Sequence, residues 1–159
     1  MKPISPALAA LAISAILIFP SVVVASPGAP APQSIAAAQA KVAQWMKPVE
    51  IEHARIAVAF EKHDVVYLER AEKRMASAPG LPGGDLLMQD EYAPFLKCDT
   101  AARDLAILVG AMSRYLARPS DALRKIVSLE QDDYDRSSAA CRRRLSMKPQ
   151  EAWAAYDAE

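Results

Sequence analysis

Cysteine, histidine, glycine and net charge are all scarce in this chain. Two cysteines and two histidines stand among 159 residues. Two thiolates cannot build a four-cysteine zinc site. Lys plus Arg and Asp plus Glu each number 19, so no basic surplus is present to hold phosphates. A dedicated nucleic-acid binder is thereby excluded. No Cys-x-x-Cys, Cys-x-x-Cys-His, Gly-x-Ser-x-Gly, Walker loop or His-Glu-x-x-His occurs. Thiol redox work, c-type haem attachment and the common hydrolase and phosphate-loop chemistries therefore have no motif to rest on. Glycine occurs five times and is nearly confined to segments that read as loops. What the chain does have is apolar residues, at 52%, too many for a disordered protein. The length suits one ordinary domain.

The first 25 residues read as an export signal rather than as structure. Lys2 supplies the positive start, Ala7 to Phe19 is an apolar run, and Pro20 breaks it. Val23 and Ala25 put small residues at −3 and −1 of a cleavage site, which completes the signal-peptide pattern. Cleavage would remove Lys2, leave one net negative charge and leave no membrane span. An Ala- and Arg-rich style suggests a bacterial chain that is periplasmic or secreted. Residues 26–33, Ser-Pro-Gly-Ala-Pro-Ala-Pro-Gln, read as a disordered tether, because proline at this density supports neither helix nor ladder. The folded domain is then 34–159.

That domain reads as all-α, a four- to five-helix bundle with an antiparallel helical hairpin stapled by one disulfide. No stretch alternates for long enough to argue a sheet. Acid-to-base pairs at i,i+4 recur in the helix-favouring order at Glu69/Lys73, Asp99/Arg103, Asp121/Lys125 and Asp132/Arg136. A first helix is expected over Ile35 to Lys47 with Ser34 as N-cap, ended or kinked by Pro48. A second follows over Val49 to Ser77, stopped by Pro79-Gly80. Ile51, Ala54, Ala57, Val58, Val65, Leu68 and Met75 share one of its faces, and Ile56, Phe60 and Tyr67 make a second stripe. A third helix, Thr100 to Ala117, has a clean stripe through Leu105, Leu108, Val109 and Met112. Pro119 ends it, and Ser120 caps a fourth over Asp121 to Leu145, with Leu123, Ile126, Val127, Tyr134, Cys141 and Leu145 inward. A short fifth starts at Pro149 and docks Trp153 and Tyr156.

The cysteines fix a distance. Helices three and four are joined by a short turn near 118–119, so they lie antiparallel. Cys98 and Cys141 stand at nearly equal distances from that turn, to within roughly 3 Å at 1.5 Å per residue. Both fall at the open end of the hairpin, and in an exported chain they read as a disulfide.

Two segments invite functional readings. The loop of residues 78–97 is long for a compact domain. Besides its prolines and glycines it carries Leu87, Met88, Asp90, Glu91, Tyr92 and Phe95. It is read either as a cover for the end of the bundle or as a partner-binding loop. In the second case Tyr92 and Phe95 would be anchors and Asp90 and Glu91 would set the charge. Glu50-Ile51-Glu52-His53 is a Glu-x-x-His, with Glu50 and His53 one turn apart. Di-iron bundles need two such copies and two further Glu, and there is no second copy. Asp132 to Asp135 and Arg142 to Arg144 read as a solvated acidic face and as positive charge suited to a helix C-terminus. The absence of catalytic motifs turns the expectation towards binding. The leading expectation is a non-enzymatic protein-binding module of the envelope, of inhibitor or immunity type against a toxin or hydrolase, with no cofactor. A metal- or small-ligand-binding bundle and a structural accessory protein of an envelope or secretion machine stand as alternatives.

Overall fold

The computed structural model describes residues 30–77 and 90–158. The expected signal peptide, the first half of the expected tether, Leu87 and Met88 lie outside the described residues. Among the described residues five α-helices follow one another: α1 (Pro32–Glu61), α2 (Val65–Ser77), α3 (Leu96–Ala117), α4 (Asp121–Ser146) and α5 (Pro149–Asp157). A 3-10 helix, Asp90–Phe95, leads into α3. Among the described residues there is no strand, and no helix is long and apolar enough to cross a membrane.

The α3–α4 hairpin follows its sequence closely. Leu105, Leu108 and Val109 are fully buried and Met112 nearly so. Ser120 accepts from the Leu123 backbone N–H and starts α4. Cys98 in the first turn of α3 is bonded to Cys141 near the end of α4, with Cα atoms 4.6 Å apart. The Asp99–Arg103 pair forms at 2.7 Å. Asp121 pairs instead with Arg124, and Arg136 with Asp133, each three residues away.

The first half of the chain departs from the expected boundaries. Pro32 occupies the first turn of α1, so the helix begins inside the expected tether. The flanking residue is Ala31, and Ser34 donates to the Ala31 carbonyl at 2.7 Å instead of capping. Pro48 does not end the helix; α1 runs through it. The break comes at Lys62–Asp64. There the Asp64 N–H reaches the Ala59 carbonyl and the His63 N–H the Phe60 carbonyl, with His63 at φ 56°. This is the Schellman arrangement, with His63 where glycine is usual. Asp64 then accepts from the Tyr67 N–H at 2.9 Å and caps α2.

The break also resets the helical phase. Ile56 and Ala59 face the core, with Phe60 packed against it. Ile51 and Val58, expected inward, are 53% and 48% exposed, and Ala54 is exposed between them. On α4, Ile126 is likewise exposed rather than inward.

Contacts along the chain order set α1 beside α2, α2 beside α3 and α3 beside α4. Gly110 of α3 sits beneath the Glu72 and Arg114 side chains, and a Cβ there would meet the movable end of Glu72. The ends are tied by side chains. Gln39 of α1 donates to the Leu145 and Met147 carbonyls at 2.7 and 3.0 Å. Arg144, buried, donates to the carbonyls of Ala152 and Ala155 and holds α5 in place. One member of the arginine run is therefore structural. On α5, Trp153 packs against the core, while Tyr156 is 37% exposed with its ring 5.8 Å from that of Trp153.

Candidate functional site

The residues expected to anchor a partner are part of the core. Tyr92 is 3% exposed and Phe95 is 0% exposed. The 3-10 helix that carries them packs against α1, α3, α4 and α5. Neither ring is exposed, so in this structure they face the core and not the surface on which an anchor would act. The physical reason is that the aromatics plug the end of the bundle, where four helices would otherwise leave apolar surface open. Asp90 is exposed and Glu91 half-buried.

Glu50 and His53 do not converge on a common point with further ligands. Among the described residues no group of three or more His, Cys, Asp or Glu is placed to hold a metal ion. His53 instead packs its ring on Tyr134 of α4, with centroids 4.4 Å apart. Burial pushes the His53 pKa below its ordinary 6.5; nearby Asp135 opposes this and Arg142 adds to it. The sign follows. The folded state holds a neutral imidazole and the unfolded state protonates more readily. The stability contribution is full above pH 6.5 and is lost as pH falls through the depressed folded value. Acidification from neutral pH is therefore expected to lower the melting temperature, and His53→Gln to flatten that dependence. A calorimetric pH series on both proteins checks this, and equal slopes would refute it.

A different site emerges from three helices meeting. Trp45, Pro48, Val49 and Glu52 of α1, Arg74 and Met75 of α2, and Asp99, Ala102, Arg103, Ala106 and Ile107 of α3 line a groove of about 720 Å³. That volume falls within the range of known binding clefts, roughly 300–1,000 Å³. Its surface is mainly apolar, and polar groups are arranged along it in pairs. Glu52, with its side chain mostly buried, accepts from Arg74 at 2.5 Å and from the Tyr67 hydroxyl at 3.2 Å. Arg55 approaches it from outside at 3.8 Å. The hydrogen bond to Glu52 raises the Arg74 pKa, and Arg74 also lies 5.2 Å from the Tyr67 ring centre. Burial, then the Glu52 charge, raises the Tyr67 pKa. Across the groove, Asp99 is buried and holds Arg103, whose side chain is largely exposed. The carboxylates thus sit low and the guanidinium groups sit at the rim. Each rim arginine is braced by a charge-assisted bond and keeps further N–H donors for a visitor.

A second hollow, of about 490 Å³, opens between Phe60, Met112, Tyr115 and Val127 at the α3–α4 turn end. It has Glu61, Arg124 and Asp132 around it. The sequence reading missed both hollows. Their walls come from three helices each, and periodicity along one helix does not reveal them. Trp45, a large aromatic left half-exposed on α1, was the one local signal.

Comparison with family models, with curated proteins and with solved structures returns no match to this chain.

Proposed function

We propose that this protein is an exported, non-enzymatic protein-binding module of the bacterial envelope, and that its binding face is the α1–α2–α3 groove. One observation carries the reading. A half-exposed Trp45 and the exposed Ile107 share a groove with two guanidinium groups held by buried carboxylates. Trp and Arg are the residues enriched where interfaces concentrate their energy, and bracing cuts the entropy lost on docking. The occupant is an apolar side-chain cluster on the partner, flanked by acceptors for Arg74 and Arg103. Neutralisation of an envelope-targeting toxin or hydrolase is one form such a module takes, and service in an envelope machine is another. Export rests on the tripartite N-terminal sequence and agrees with the Cys98–Cys141 bond.

The test is site-directed. A photo-crosslinking residue at Ala106 should trap one discrete envelope protein, and the same residue at exposed Ala154 should not. Affinity of the purified pair should fall about tenfold or more in Ile107→Glu and in Ala102→Trp, which charge and fill the groove. Undiminished binding by both variants, with helical content intact, would sink the groove assignment. A periplasmic product beginning at Ser26 is the expected result for export. A full-length cytoplasmic product would refute it.

A further inference from the structure

We infer that the hollow at the α3–α4 turn end is a binding site separate from the groove, and that its ligand is a small organic cation, an ammonium group carried on an apolar body. The hollow and the groove share no lining residue. α1 and α4 close on each other where His53 packs on Tyr134. One turn away, at Ala57 on α1 and Gln131 on α4, they stand apart around a space of about 490 Å³. α3 supplies the floor between them with Met112 and Tyr115. Phe60 of α1 lies against Tyr115, with ring centres 6.1 Å apart, and Val127 of α4 completes the apolar part. A space of this size takes a small molecule, and removing its apolar lining from water is favourable.

The charges at the hollow select the sign of the ligand. Among the described residues its lining holds three, Glu61, Arg124 and Asp132. Arg124 is engaged: Asp121 lies 3.8 Å from it, and the Tyr115 hydroxyl accepts from it, which raises its pKa. Glu61 and Asp132 pair with no cation among the described residues. Asp132 is left over because Arg136, four residues on, turns to Asp133 instead. Glu61 ends α1 and Asp132 stands in the middle of α4, so the open carboxylates border the space from two different helices. Gln131 donates its amide N–H to Asp135 and leaves its oxygen as a further acceptor. Lys62, Arg118 and Lys125 are near in sequence but exposed and outside the lining. Exposed charges that do not touch the ligand are screened over about 8 Å at physiological salt, so the lining decides. The rings favour the same sign, because an ammonium within about 6 Å of a ring centre is attracted by its π electrons. An anion would find one engaged arginine and two open carboxylates.

Three probes of one shape test this: phenylbutylamine, phenylbutanol and phenylbutyrate, each titrated into isotope-labelled protein while the backbone amide shifts are followed. The amine should bind about fivefold or more tighter than the alcohol, and the acid more weakly than either. Shifts should centre on Ala57, Met112, Tyr115 and Val127. Glu61→Gln with Asp132→Asn, both at exposed positions, should bring the amine down to the affinity of the alcohol. Ile107→Glu, in the groove, should leave amine binding unchanged. No binding of the amine at millimolar concentration would overturn the proposal. So would equal affinity for the three probes, a preference for the acid, shifts centred on the groove, or amine binding that survives the double charge variant.

Discussion

Replacing both Cys98 and Cys141 by alanine is expected to lower the melting temperature by about 10–15 °C. The bond joins residues 43 apart in sequence. Closing a loop of that size removes enough freedom from the unfolded chain to stabilise the fold by about 3–4 kcal/mol. The bond also acts locally. It clamps the first turn of α3 to the last turns of α4, and the 3-10 helix with Tyr92 and Phe95 runs directly into that first turn. Loss of the bond should therefore loosen the end of the bundle where α1, α5 and the 3-10 helix meet. Both cysteines are fully buried, so a reductant reaches the bond only through opening of the structure. Calorimetry with and without reductant makes the check. The native chain should melt lower once reduced, and the double alanine variant should ignore reductant altogether. A variant melting within about 2 °C of wild type would mean that the hairpin is already closed in the unfolded ensemble.

The staple was readable because it depends on local quantities. Two helices with clean stripes, a short Pro-Ser turn and the rise per residue are enough to bring Cys98 opposite Cys141. The same locality made Ser120 and Pro149 reliable markers. The first half of the chain resisted for a specific reason. Pro48 costs a helix interior about 3 kcal/mol in isolation. Here Met46 and Val49 on either side are buried, so packing outweighs the lost hydrogen bond and α1 continues. The true break rests on His63 in a left-handed conformation, a state that composition does not announce. The cap at Asp64 was a visible signal, an Asp directly before Val65-Val66. It was outweighed by an apolar pattern that happens to continue across the break. Carrying one phase over that break put Ile51 and Val58 inside. The structure turns them out, and the stripe that looked secondary, through Ile56 and Phe60, is the inner one. The groove was illegible for a related reason. Glu52 gains its meaning from Arg74 and Tyr67, which lie on another helix, and Trp45 gains its meaning from Ile107.

Phe95→Ala is expected to be the costliest single truncation, at about 3–5 kcal/mol. The side chain is completely buried in a short 3-10 helix that touches four α-helices. No one of those helices can collapse into the space without leaving another, so the cavity should persist, which is the condition for the upper part of that range. Phe95→Leu keeps most of the volume and should cost a fraction as much. The two tryptophans separate the local from the global effect. Trp153 on α5 packs against this region, whereas Trp45 lies farther along α1 beside the groove. In urea, a Trp153-only variant carrying Phe95→Ala should report loosening before far-ultraviolet circular dichroism reports loss of helix. The measurement also decides between the two readings that the sequence left open for this aromatic. A contact residue on a free loop could be truncated at nearly no cost in stability, with the loss seen only in partner affinity. A loss below about 1 kcal/mol would return Phe95 to that role. A loss in the expected range makes the 3-10 helix the plug of the bundle. Recognition is then left to the groove, whose exposed Ile107 can be changed without opening the core.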